Sequence, residues 1–131
     1  MEVLQIAAIT NNIPERLDTA TNIQILEYAL IVARLFYDRW QGKIHFGIAD
    51  AEELTRYESV IHEECLNRYR SQTGVDQAAK ETAMKVVRLM HVLVHGGIIP
   101  DKAEMLDVLN AGRDLFEFIA GRSPKIIIQK V

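Results

Sequence analysis

Four runs of the chain repeat apolar residues at spacings of three and four, and each run gives out at or shortly before a glycine. That spacing places apolar side chains on one face of an α-helix. It lacks the strict alternation that a half-buried strand needs. The first run, Ile23 to Trp40, carries two adjacent stripes: Ile23, Leu26, Leu30, Ala33, Tyr37 and Trp40, and beside them Ile25, Ala29, Val32 and Phe36. Two stripes side by side predict a helix buried over a wide face, the central one of a bundle. The second run, to near Arg70, has Asp50 and Glu53 as a capping pair and an inner stripe of Leu54, Tyr57, Ile61 and Cys65. Its outer face is read as strongly acidic, with Glu52, Glu53, Glu58, Glu63 and Glu64, a face that would repel RNA and could meet a basic partner. The third starts at Asp76, packs through Ala79, Ala83, Val86, Met90 and Leu93, and stops at Gly96-Gly97. The fourth, capped by Asp101, faces inward with Met105, Leu109, Gly112, Phe116 and Ile119 and closes at Gly121.

The connections between these runs are short enough for neighbouring helices to pack antiparallel. A chain of 131 residues has room for one ordinary core. The expected fold is therefore all-α, a four- to five-helix bundle in a single domain over residues 1–131, with short extended N- and C-terminal segments. Residues 122–131 form an extended tail, in which Ile126, Ile127 and Ile128 are an apolar strip in need of a partner.

Composition removes several function classes. At 49% hydrophobic residues, the chain has too much apolar surface for general disorder. A single cysteine, Cys65, excludes an internal disulfide framework and a multi-cysteine zinc site. A net charge of −3 argues against a general nucleic-acid coat or a membrane-surface binder, while leaving room for a local basic patch. Gln24, Glu27, Arg34, Asp38 and Arg39 interrupt the longest apolar window, so it is no transmembrane span. The Met1 to Ile9 stretch has Glu2 where a signal peptide is basic, which makes a cytoplasmic location the default expectation.

One constellation carries chemistry. The third helix ends Arg88-Leu-Met-His91-Val-Leu-Val-His95-Gly96-Gly97. At about 100° per residue, Arg88 and His95 return to within about 20° of one another, with Lys85 on the same side and His91 at its margin. Imidazole moves protons near neutrality, and guanidinium grips phosphate through a forked pair of hydrogen bonds. The combination suits phosphodiester cleavage in RNA, where the nucleophile is the substrate's own 2′-hydroxyl and no metal is needed. The same stripe also has the make-up of a solvated helix face, with His and Arg placed well near a helix C-terminus.

The stretch from Arg88 to Ile119 resembles the end of a HEPN domain, an all-helical family with an Arg-x4–6-His motif before a glycine-containing turn and a last amphipathic helix. Arg88-x6-His95, Gly96-Gly97 and the run from Asp101 to Ala120 carry the resemblance. It implies a metal-independent RNA endonuclease, or a degenerate RNA-binding relative, working as a homodimer whose cleft uses Arg88 and His95 of both chains. His91 and Lys85 would assist in holding substrate. Leu89 departs from the family, where a polar residue commonly follows the arginine, and Met90 stands where the shorter spacing would put the arginine.

His91 and His95 could also share a metal ion, with a third ligand from His62 or Glu58. No Glu follows His91 directly and no Glu-x-x-His pair is present, so the expectation is no metal and no cofactor. Cys65 reads as a buried structural residue. Arg34, Arg39, Lys43, Arg68 and Arg70 would form a basic region if the ends of the first two helices met. Against the ribonuclease stands a second class of function: a non-catalytic helical subunit that works through its surfaces in a larger protein assembly.

Overall fold

The computed structural model describes residues 12–70 and 76–125. Over these residues the chain is all-α, with four helices: α1 (Asn22–Trp40), α2 (Ile48–Cys65), α3 (Gln77–His95) and α4 (Lys102–Ala120). No strand occurs among the described residues. The apolar tail residues Ile126, Ile127 and Ile128, and the Val3-to-Ile9 stretch, lie outside them.

α1 is the central element, as its double stripe predicts. It packs against α2, α3 and α4, and both of its stripes are buried from Ile25 to Tyr37. It opens with a capping box: the Thr21 hydroxyl accepts from the Gln24 backbone N–H, and the Gln24 side chain accepts from Thr21 N–H. Trp40 departs from the expectation. It stands on the last turn and is 50% exposed.

α2 begins earlier than the sequence suggests. Gly47 is its N-cap, and Asp50 sits at the third helical position, where its carboxylate accepts from Gly47 N–H. The expected inner stripe is buried, Leu54, Tyr57, Ile61 and Cys65 all included. The α-helix stops at Cys65 and continues as a π-helical turn, Leu66–Arg70. The turn brings Arg68 to the carbonyls of Leu17 and Ala20, and Tyr69 Oη donates to Asn22 O at 2.6 Å. These bonds fasten the lead-in segment, with its buried Ile13 and Leu17, to the bundle.

Arg68 thus lies by the start of α1, whereas Arg34, Arg39 and Lys43 lie towards its other end. The expected basic region does not form. Arg34 and Lys43 instead approach Asp38, and Arg39 lies over the Phe46 ring.

α3 ends where Gly96 and Gly97 both take positive φ, a conformation that residues with a Cβ rarely adopt. α4 starts as expected, with the Asp101 carboxylate accepting from Glu104 N–H at 2.9 Å. Met105, Leu109, Gly112 and Phe116 face inward, but Ile119, assigned to the same face, is 54% exposed on the last turn. Beyond α4, Arg122 Nη1 and the Lys125 backbone N–H both donate to the buried carboxylate of Glu27, fixing the chain exit against α1.

Candidate functional site

Where α2 crosses α3, one carboxylate and three imidazoles meet. The largest departure from the sequence reading is here. Glu58, placed on the outer acidic face, has a fully buried side chain. The reason lies in its register. Leu54, Glu58, Ile61 and Cys65 are spaced four, three and four, so Glu58 holds a position on the apolar stripe itself. Burying an ionised carboxylate costs several kcal/mol unless partners reach it, about the scale for an unpaired charge.

α3 supplies those partners. His91 and His95, one turn apart, lean from the α3 crest towards α2. His91 Nδ1 lies 2.9 Å from Glu58 Oε1, and His95 Nε2 lies 2.6 Å from Glu58 Oε2. An ionised carboxylate only accepts, so each ring donates the N–H that faces it. His91 then keeps Nε2, and His95 keeps Nδ1, free to act on something else. Both rings are close to half exposed, with side-chain exposures of 46% and 42%. His62, one turn after Glu58 on α2, stacks face to face on His91 with ring centres 4.3 Å apart. Burial, and then the neighbouring His91, push the His62 imidazole below its ordinary pKa, so His62 favours its neutral form.

Glu58, His91 and His95 can each turn one ligand atom to a common point, with those atoms within 4.8 Å of one another. Of the two third-ligand candidates read from the sequence, the geometry selects Glu58. His62 lies behind His91, its face turned to it.

Arg88 and Lys85 occupy the opposite flank of the α3 crest. With Leu89, Val92, Pro100, Glu104 and Asp107 they line an open groove of about 510 Å3 between α3 and α4. Neither makes a hydrogen bond or ion pair among the described residues. Arg88 and His95 share the exposed side of one helix, as the wheel predicts, but seven residues separate them by about 10 Å along the axis. Within one chain they line two neighbouring features, His95 a carboxylate-anchored histidine cluster and Arg88 a basic edge.

Cys65 is the buried structural residue expected. Burial pushes its thiol up to about 12, which leaves almost no thiolate for nucleophilic work near neutrality. No helix among the described residues is long and apolar enough to cross a membrane. No protein-family model, curated protein or solved structure matches this chain.

Proposed function

We propose that the chain is a HEPN-like, RNA-acting helical protein that works as a homodimer and cleaves RNA by acid–base chemistry without a metal. The observation that supports this reading most is the pair of half-exposed imidazoles anchored on one buried carboxylate. A carboxylate that holds a ring by one nitrogen fixes the direction of the other and stabilises the imidazolium once a proton arrives. In the proposed reaction, His95 or His91 takes the proton from a ribose 2′-hydroxyl. The 2′-oxygen bonds to phosphorus, the bond from phosphorus to the 5′-oxygen breaks, and a protonated imidazole returns a proton to that leaving oxygen. The products are a 2′,3′-cyclic phosphate and a 5′-hydroxyl. Arg88, with Lys85, holds the phosphate. The second protomer comes from the family resemblance, and the axial separation of Arg88 from His95 accords with it: the partner's Arg88 would serve the first protomer's histidines.

The test is cleavage of a single-stranded RNA oligonucleotide in the presence of a chelator. His95→Ala is expected to lower the rate by about 10²- to 10⁴-fold, the usual contribution of a positioned acid or base, with the dimer intact by sedimentation. Full activity in that variant would overturn the assignment.

A second reading, a non-catalytic subunit of a protein assembly, draws on the exposed apolar residues. Ile98 is 95% exposed just after α3, and Phe118 is 88% exposed on α4. Single apolar residues on a surface are ordinary, so this reading needs both to lie within an interface. If Ile98→Lys and Phe118→Lys leave the sedimentation of the native assembly unchanged, it fails.

A further inference from the structure

We infer that Glu58, His91 and His95 form a binding site for a divalent first-row transition ion of the zinc type. The inference does not rest on the RNA reading. Three observations carry it. First, the donor set is right: two imidazole nitrogens and a carboxylate oxygen are borderline ligands that suit zinc and its neighbours, and two histidines one helical turn apart present themselves to a single ion. Second, the donors already converge, with all three ligand atoms within 4.8 Å of one another and the carboxylate contacts at 2.9 and 2.6 Å. Ligand atoms around tetrahedral zinc stand about 3.3 Å apart. Admitting the ion therefore asks the half-exposed rings to retreat by about half an ångström from the oxygens they touch, to close the widest gap in the set from as much as 4.8 Å, and to give up the protons on the facing nitrogens. Third, the charge is right. Glu58 is fully buried, and its hydrogen-bonding partners are the two imidazoles, which carry no formal charge unless protonated. A divalent cation answers a buried carboxylate more fully than two neutral N–H groups can.

The backbone that holds the set is stiff. Glu58 comes from the middle of α2 and both histidines from the last turns of α3, so no loop has to order itself for the ligands to meet. The His62 ring lies flat against His91 and limits how far that ring can turn away. Three protein ligands leave a further coordination position, and the exposure of the two rings opens it to water or to a small anion. An ion in this place would occupy the very nitrogens that face Glu58, so loading and histidine acid–base chemistry become separate states of one site.

Titration of the metal-free chain with Co2+ tests the site without RNA. One cobalt per chain is expected, with the visible d–d bands of a low-coordinate ion, bleached by added Zn2+. His91→Ala and His95→Ala should each weaken binding by at least about tenfold, the lower bound for losing even an indirect supporter of a ligand. His62→Phe, which keeps the stacked ring, should bind as the parent does. No d–d band in the parent chain overturns the site, and so does parent-like binding in His95→Ala or lost binding in His62→Phe. Proton NMR of the unaltered chain gives an independent reading that no folding defect can disturb. Zn2+ should shift the ring signals of His91 and His95 and leave His45 unmoved; a response confined to His45 overturns the assignment. RNA cleavage measured in chelator succeeds or fails regardless of these results, so the two proposals fall separately.

Discussion

Glu58 carries a carboxylate into the core, and its hydrogen-bonding partners are two rings from another helix. Its energetics are asymmetric. Replacing both histidines by phenylalanine keeps the cover over Glu58 but removes the donors, so a charge stays buried without partners. His91→Phe/His95→Phe is expected to lose about 3 kcal/mol in urea denaturation, in the range for breaking a buried pair from one side. Adding Glu58→Met to that background should restore most of the loss, because the charge left without partners has been removed. If the triple variant is no more stable than the double, the carboxylate is not the source of the cost. Cys65 supports a second prediction at this scale. Its thiol is held up to about 12 by burial, against an ordinary value of 9.0, so the folded chain keeps a proton that the unfolded chain releases. Stability contributed by this thiol is fully present below about pH 9 and lost progressively as pH rises towards 12. Cys65→Ala should be less stable at pH 7 for lack of packing, yet show a shallower alkaline decline. Parallel declines for the two chains would contradict the buried thiol.

The helices themselves were legible in the sequence because period and punctuation agree. The stripes on α1, α2 and α3 name most of the buried residues, and Gly96-Gly97 and Gly121 mark real stops. What escaped were positions where the end of an element decides exposure. Trp40 and Ile119 continue their stripes in register, but each lies on a last turn and stays about half exposed, and periodicity carries no information about neighbouring length. Glu58 escaped for a different reason. Charge assigned it to the acidic face while spacing assigned it to the core, and only the histidines of a helix distant in sequence decide between them. His91 and His95 were legible as a facing pair; their shared carboxylate was not. Gly112 shows how tightly the elements fit. A Cβ built there would stand 2.5 Å from Val86 Cγ2 and 2.9 Å from Leu30 Cδ2, at the meeting of α4 with α3 and α1. Helix propensity favours Ala over Gly by about 1 kcal/mol. The overlap outweighs it, and Gly112→Ala is expected to destabilise by about 1–3 kcal/mol, with Gly112→Val worse. A rise in Tm for Gly112→Ala would mean that α4 shifts outward at little cost.

Across the whole molecule the charge is −3, so an RNA chain has no general field to follow and must find local cations. Lys85 and Arg88 are the candidates on the α3 crest, yet the groove they border is also lined by Glu104 and Asp107. In the proposed reading, phosphates would be repelled from the groove by Glu104 and Asp107 and would meet the exposed Arg88 and Lys85 along the crest. This arrangement predicts how binding responds to salt. If Lys85 and Arg88 of two protomers each meet a phosphate, the plot of log affinity against log salt for single-stranded RNA should have a slope of about −2.8, since each neutralised phosphate contributes about −0.7. Arg88→Ala should halve the slope and weaken binding to every sequence alike, because a phosphate contact reads no base. The acidic wall makes the opposite prediction: Glu104→Gln/Asp107→Asn, which removes like-charge repulsion and alters no cation, should tighten binding most at low salt, with the gain fading as the Debye length falls to about 8 Å near physiological ionic strength. Fluorescence anisotropy across a potassium chloride series reads both effects. A slope unchanged by Arg88→Ala would take Arg88 out of the path of any RNA and leave the histidine cluster to the proposed metal site.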